Sequence, residues 1–169
     1  MLHKKNKSLK AKNIAIRVDG HKGTGMGHIS RMIVLARYLR ETENVEIFFI
    51  TKNSQPATEI IISNGFESYT LDFNISIKEE LDKVNKIIHH EEPHVIIIDV
   101  LGCSSDSEYI NCVKKISDLV VISFTDIHNK MCMLAADVVI NSSILQMGNE
   151  SFYKENYYLG LDYCLLSSD

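Results

Sequence analysis

Residues 13–31, NIAIRVDGHKGTGMGHISR, decide the fold of this chain. The first six of them form an apolar run with β-branched side chains, which predicts a strand. Glycine then occupies every second position of GTGMG at 23–27, and apolar residues with helical spacing begin near His28. A strand, a glycine loop and a helix in direct succession are typical of the opening unit of a parallel α/β sheet.

The same alternation of strand and helix continues along the chain. Strands are predicted at 13–18, 45–51, 94–101, 119–125 and 137–141, with a last short run at 157–159. Helices are predicted at 28–41, 55–64, 76–91, 105–117 and 130–136. Two of the middle strands are apolar on both faces, as strands covered by helices on either side must be. We therefore expect an α/β fold with a doubly wound, mostly parallel sheet.

Length and composition agree with one domain. The chain has 169 residues, of which 45% are hydrophobic, and this length suffices to bury a core without disulfides or metals. Residues 1–12 carry five lysines and no acidic residue, so we expect a basic mobile leader ahead of a single domain at 13–169. That domain has 13 basic and 22 acidic side chains, a net charge of −9, which predicts no binding of nucleic acid.

Membrane and metal classes find no support in the sequence. No apolar stretch has the roughly 18 residues of a membrane span, and no signal peptide follows the first lysines, so a cytoplasmic protein is expected. The four cysteines show no CxxC spacing and are typical of buried reduced thiols. The histidines at 89, 90 and 94 span a helix end and a strand start, so we predict no metal site and no cofactor.

The glycine loop matches neither common nucleotide fingerprint. Lys22 precedes the glycines, whereas a Walker loop needs its lysine after them. The GxGxxG spacing fails, and the second strand ends in Thr51 and Lys52 without an acidic residue, which disfavours NAD or FAD. The loop is nevertheless predicted to seat an anion, because glycine lets the backbone approach a ligand and the helix start presents unpaired N–H groups.

His28 is the predicted catalytic base. An imidazole at a helix N-terminus feels the positive end of the helix dipole, which favours a neutral ring that accepts a proton. The alternative is that His28 caps the helix or fills a gap under the loop. Asp19 at the end of the adjacent strand and Arg31 one helical turn further on favour the catalytic interpretation, and Arg31 is expected to pair with a carboxylate.

Two further carboxylates end predicted strands. Asp99 closes IIID and Asp126 closes FTD, so both are expected at the same sheet edge as the glycine loop. Either is suited to orient His28 or a ligand hydroxyl, and for Asp126 a loop-capping role is an equal alternative. The predicted substrate-binding residues are Asp19, Gly25, Met26, Gly27, Arg31, Asp99 and Asp126.

The residues of this loop also carry a family resemblance. IRVD at 16–19 followed by GMGHISR at 25–31 resembles the opening of the nucleotide-sugar hydrolases of pseudaminic acid biosynthesis, which are grouped with the spore-coat polysaccharide protein SpsG. Later blocks of the same family are similar to IIID at 96–99, FTD at 124–126, DVVIN at 137–141 and LGLDYCLL at 159–166. The resemblance covers nearly all of residues 13–166.

This resemblance implies the N-terminal, Rossmann-like lobe of a GT-B architecture. It implies that His28 activates water for attack at the anomeric carbon of a UDP-2,4-diacetamido-2,4,6-trideoxyhexose and releases UDP without a metal, in surface polysaccharide or nonulosonic acid biosynthesis. In such proteins a C-terminal lobe holds most of the UDP. The sequence stops at Asp169, about where the family passes to its second lobe, so that lobe or a partner subunit is an expected partner.

Two other functions remain open at this point. A similar glycine loop followed by histidine occurs in the lipid-linked GlcNAc transferase of peptidoglycan synthesis, so a glycosyltransferase lobe that binds a sugar acceptor is one alternative. A module that binds a sugar or a partner and catalyses nothing is the other.

Overall fold

The described strands form one seven-stranded parallel sheet. The computed structural model describes residues 13–21, 25–101, 107–116, 118–125, 135–142 and 156–165. The strands are β1 (Asn13–Val18), β2 (Glu46–Lys52), β3 (Glu67–Leu71), β4 (Val95–Asp99), β5 (Val120–Phe124), β6 (Val138–Asn141) and β7 (Tyr157–Leu159). Their spatial order is β3-β2-β1-β4-β5-β6-β7, and every described pair is parallel. The predicted α/β class with a Rossmann-like sheet is confirmed, and the strand order reverses between β1 and β4.

Helices connect these strands and end at recognisable signals. They are α1 (Gly27–Glu43), α2 (Gln55–Ser63), α3 (Ile77–Glu91) and α4 (Ser107–Lys114), with a 3-10 turn at Leu161–Tyr163. Helix α3 starts with a capping box between Ser76 and Glu79. Helices α1 and α3 both end at a left-handed residue, Asn44 and Glu92, which stops the helix and turns the chain toward the next strand.

The core lies on both faces of the sheet because successive strand residues point to opposite sides. Ile16 of β1 packs with Ile29 and Met32 of α1 on one face, and all three are fully buried. Ala15, the neighbouring residue of β1, packs on the other face with Val84 of α3, which is also fully buried. Burying each large aliphatic side chain contributes roughly 1.5–3 kcal/mol, so the central strands are the most strongly held part of the layer.

Strand β3 was not expected from the sequence pattern. Its residues, ESYTL at 67–71, are mostly half-buried or exposed, and only Leu71 is buried. It pairs with β2 alone among the described strands and forms the edge of the sheet. An edge strand faces solvent on more of its surface, so it lacks the apolar run that identifies a central strand.

Two predicted helices differ from the structure or lie partly outside it. The helix predicted at 105–117 is the shorter α4. Of the helix predicted at 130–136, residues 130–134 lie outside the described ranges, and Ala135 and Ala136 form a turn and a bend before β6. The predicted leader at 1–12 also lies outside the described residues. Within the described ranges, no helix combines the length and the hydropathy that crossing a membrane requires.

Candidate active site

The reversal of strand order gathers charged residues at one edge of the sheet. β1 and β4 pair side by side, with Val18 opposite Asp99. Asp19 follows β1 directly, and the loop into α1 leaves from the same edge. A ligand crevice is expected at this position in an open α/β sheet, because the connections on either side of the reversal leave in opposite directions.

His28 occupies the first turn of α1 and contacts Asp99. Its Nδ1 atom lies 2.8 Å from Oδ1 of Asp99, and its side chain is 18% exposed while that of Asp99 is fully buried. We assign the ring hydrogen to Nδ1, because a bare nitrogen would set two lone pairs against each other at that distance. In the neutral ring, Nε2 is then the atom that accepts a proton.

Arg31 holds the same carboxylate from one turn further along α1. Its Nε donates to Oδ2 of Asp99 at 2.6 Å, and its Nη2 donates to Oδ1 at 2.5 Å. The predicted pairing of Arg31 with a carboxylate is thereby confirmed. Nη2 also lies 3.0 Å from Nδ1 of His28, so the guanidinium, the imidazole and the carboxylate form one compact cluster. A two-pronged contact of this kind fixes the plane of the carboxylate.

A cleft of about 310 Å³ opens beside this cluster. It is lined by Asp19, Gly20, His21, His28, Lys52, Ser54, Phe73, Val100 and Leu101. Of the predicted site residues, Asp19 and His28 reach the cleft wall. Asp99 is not part of the cleft lining and contacts the ring of His28 instead, so of the predicted roles this geometry favours orientation of His28.

The Asp19 carboxylate is held in its charged form. Arg17 donates from Nη1 to Oδ1 at 2.5 Å and from Nη2 to Oδ2 at 2.8 Å, and the backbone N–H of Lys52 donates to Oδ1 at 2.7 Å. Burial by itself would raise the pKa of Asp19, but the hydrogen bonds and positive charge of Arg17, together with Lys52, outweigh it and lower the pKa below its usual value. Asp19 therefore suits an acceptor of hydrogen bonds and does not suit a proton donor.

Gly25, Met26 and Gly27 are the described part of the glycine loop before α1. Gly25 has a φ of +85°, which favours glycine, and its N–H donates to the carbonyl of His21 at 2.9 Å. Met26 is the N-cap residue of α1, and Gly27 opens the helix. These three residues lead directly into His28 and are absent from the described lining of the cleft. Gly23 and the predicted site residue Asp126 lie outside the described ranges.

Sequence reasoning did not select several of the residues that line the cleft. Lys52 could have been found from its position, because it lies at the carboxyl end of β2, a strand adjacent to β1. Phe73 follows the unexpected strand β3 and makes an edge-to-face contact with His21, with ring centroids 5.2 Å apart. Leu101, 61% exposed, forms part of the rim. Across the described residues, no three His, Cys, Asp or Glu side chains are grouped to hold a metal ion.

The sheet order and the position of the cleft define the class of fold as a Rossmann-like α/β fold. Among solved structures, MurG of Acinetobacter baumannii is similar, with a TM-score of 0.65 over 88% of this chain and 44% of MurG. The two sequences are 9% identical, so this likeness concerns the fold alone.

Sequence comparison adds one relative. No family model matches the chain. An uncharacterized protein of Methanocaldococcus jannaschii is 29% identical to it over 161 residues, which cover 92% of this chain. Those residues cover 31% of the relative, so the chain spans about a third of the length of the curated protein it matches.

Proposed function

We propose that this chain is the base-bearing lobe of a UDP-sugar hydrolase of surface polysaccharide or nonulosonic acid biosynthesis, acting on a UDP-2,4-diacetamido-2,4,6-trideoxyhexose. The observation that carries the proposal is the 2.8 Å contact between Nδ1 of His28 and Asp99 at the wall of the cleft. It orients the ring, selects its tautomer and directs a proton-accepting nitrogen away from the carboxylate.

In the proposed reaction, Nε2 of His28 takes one proton from a water molecule. The water oxygen forms a bond to the anomeric carbon while the bond from that carbon to the diphosphate oxygen breaks. The electron pair of the broken bond leaves with UDP, and the sugar is released with a free anomeric hydroxyl. Because UDP is already a good leaving group, the enzyme has to position the water and accept one proton.

The buried carboxylate supports this role of His28. When the ring gains a proton it becomes positively charged, and the negative charge of Asp99 at 2.8 Å stabilises that cation. Arg31 keeps Asp99 in the required orientation through both carboxylate oxygens. The start of α1 supplies backbone N–H groups toward the developing charge on the diphosphate.

The proposal includes a second lobe or a partner subunit that binds most of the UDP. The relative from Methanocaldococcus jannaschii is about three times as long as the stretch matched here, since the match covers 31% of it. Such additional chain supports the proposed division of labour, in which another lobe binds most of the UDP and this lobe supplies the base.

Sugar transfer is the second candidate function. The likeness to MurG in fold supports a glycosyltransferase-like GT-B lobe. In that reaction the hydroxyl group of an acceptor takes the place of water, and His28 removes its proton in the same way. The two candidates therefore share the base and differ in the nucleophile.

The test measures UDP released from UDP-sugars by the full-length gene product without an acceptor. Hydrolysis predicts release in the wild type and loss of it in His28→Ala. His89→Ala removes an exposed imidazole near the end of α3 that is not part of the cleft lining, and it is the matched control, expected to keep most of the activity. Strict dependence on an added acceptor supports transfer instead, and equal turnover in His28→Ala and the wild type contradicts the role of His28 as the base in either reaction. Sugar binding without turnover in the wild type indicates the non-catalytic module.

A further inference from the structure

A buried network of charged side chains lies beneath the cleft and has no part in the proton transfer. Arg17 of β1 is fully buried, and Glu80 of α3 is 1% exposed. Nε and Nη2 of Arg17 donate to Oε1 of Glu80 at 3.1 and 2.8 Å. The hydroxyl of Tyr109 in α4 donates to the same oxygen at 3.0 Å. Residues from the sheet and from two helices therefore meet at one carboxylate.

Arg17 connects this network to the cleft through Asp19. Its two terminal nitrogens bind the two oxygens of Asp19, so a single guanidinium bridges a buried carboxylate and one that lines the cleft. The Asp19 side chain is 16% exposed, and Asp19 is one of the residues that line the cleft. The planar fork of an arginine leaves such a carboxylate little freedom to rotate.

Lys52 forms the second connection. Its Nζ lies 3.5 Å from Oε2 of Glu80, and its side chain is 29% exposed on the cleft wall. Glu80 thus pairs with both cations of the network, Arg17 and Lys52, and the two carboxylates balance the two positive charges. Removal of one member leaves a buried partner uncompensated, so the positions of the two cleft residues depend on the two buried ones.

Building on the proposed function, we propose that Arg17 and Glu80 are positioning residues for substrate: they hold Asp19 as a charged acceptor, and Lys52 beside it, for the sugar part of the ligand. Neither of the two touches the substrate. A fixed carboxylate attracts hydroxyl and N–H donors and repels phosphate, so this end of the cleft takes the uncharged ring. The diphosphate then lies on the other side of His28.

The titration of the Asp19 carboxyl depends on the charged and titratable groups that surround it. Arg17 contacts it from β1 and Lys52 from β2, and Glu80 of α3 lies behind Arg17. The imidazoles of His21 and His28 line the same cleft. Of these groups, Arg17 is the one with direct hydrogen bonds to both oxygens, so its removal is expected to have the largest effect on Asp19.

The key variant is the double substitution Arg17→Met with Glu80→Gln in the full-length gene product. It removes one buried positive and one buried negative charge together, which avoids the unfolding expected from an unpaired buried ion. The carboxyl carbon of Asp19 is followed by NMR against pH. We expect its titration midpoint to rise by about one pH unit or more relative to the wild type. Tyr109→Phe, which removes a hydrogen bond to Glu80 without changing charge, is the control and is expected to leave the midpoint unchanged.

A second readout separates positioning from structural support. With UDP-N-acetylglucosamine as the probe, calorimetry is expected to show binding weakened about tenfold in the double variant, which is the rough cost of losing one charged contact. Binding is expected to be unchanged in Tyr109→Phe. Arg17→Lys keeps the positive charge but removes the planar guanidinium, whose two terminal nitrogens bind the two oxygens of Asp19. It is expected to keep Asp19 ionised and still to weaken binding.

The outcomes distinguish this proposal from the proposed function. An Asp19 midpoint that is the same in the double variant and the wild type overturns the positioning role. A lowered melting temperature with unchanged binding also overturns it, because that pattern belongs to a purely structural network. The NMR titration needs no turnover, so it tests the positioning role of Arg17 and Glu80 even if the wild type releases no UDP. Absence of UDP release by the wild type would contradict the proposed function and not the positioning role.

Discussion

Arg31 donates hydrogen bonds to both carboxylate oxygens of Asp99, from Nε to Oδ2 at 2.6 Å and from Nη2 to Oδ1 at 2.5 Å. Oδ1 is also the oxygen that contacts His28. The arginine therefore restricts rotation of a carboxylate whose other task is to orient the imidazole. A role of Asp99 in catalysis is expected to depend on this arrangement rather than on contact with substrate, because Asp99 is fully buried.

Replacement of Asp99 by asparagine is expected to lower kcat for UDP release by about 100-fold or more, the usual size of a general-base contribution. The amide carries no negative charge, so it no longer stabilises the imidazolium that forms when His28 accepts a proton. Activity is measured on the full-length gene product, with circular dichroism to confirm folding. Asp118→Asn changes an exposed aspartate before β5 and serves as the control. Wild-type activity in Asp99→Asn contradicts the proposed role of the His28–Asp99 pair.

Gly20→Ala is expected to destabilise the protein by about 1–3 kcal/mol, as overpacking of a core does. A Cβ at position 20 would lie 2.5 Å from Cγ1 of Ile29, which is fully buried in α1. The measurement is urea unfolding. Gly27→Ala is the matched control, because nothing lies within 4 Å of its added Cβ and alanine favours a helix. Equal stability of the two variants is the result that contradicts this packing argument.

Ser76→Ala is expected to cost about 1 kcal/mol of unfolding free energy. The Ser76 hydroxyl accepts from the N–H of Glu79 and donates to Oε2 of the Glu79 side chain, so the N–H and the carboxylate of Glu79 each lose a partner in the variant. Thermal unfolding measures the loss. Ser63→Ala, at the exposed end of α2, is the control, with an expected change below about 0.5 kcal/mol. A loss at position 63 as large as that at position 76 contradicts the capping role.

Asp137 is expected to contribute to loss of stability in acid. Burial by itself would raise the pKa of Asp137, but the hydrogen bonds from Lys114 and from the N–H of Val121 outweigh it and lower the pKa below 3.8. A carboxylate with a lowered pKa in the folded state stabilises the protein above its unfolded pKa, and this contribution disappears as pH falls through the folded pKa. The expected window therefore begins near pH 4 and extends downward.

The test compares unfolding free energies of the wild type and Asp137→Asn between about pH 5 and pH 2, the range around an ordinary aspartate pKa. The variant is expected to be less stable at the upper end and to show a shallower decline with acidification. Asp118→Asn again provides an exposed control whose curve is expected to parallel the wild type. Parallel curves for Asp137→Asn and the wild type contradict the assigned role.

Central strands and long helices were predictable because their signals are local. The apolar run at 95–99 and the helical spacing of 77–91 are visible in short windows, and both elements are present within a residue or two of the predicted bounds. The edge strand β3 was missed because its half-exposed side chains form no apolar run. Its position decides where Phe73 enters the cleft, so the shape of the site was less predictable than the sheet.

The candidate site was predictable one residue at a time. His28 stands out because glycine and a helix start surround it, and Arg31 because three residues along a helix place it on the same face. Glu80 had no such signal, since a glutamate in the first turn of a helix ordinarily faces water and favours the helix dipole. Its 1% exposure follows from the packing of α3 over the buried guanidinium of Arg17.

Local chemistry along the chain was enough to establish an alternating α/β layer, a glycine turn before α1 and an imidazole at the start of that helix. Which of these residues touch was decided by strand order and helix packing. His28 meets Asp99 across 71 positions of sequence because β4 lies beside β1, and Arg17 meets Glu80 across 63 because α3 covers that strand. Contacts between such distant residues depend on the closure of the whole sheet, and no short stretch of sequence contains that information.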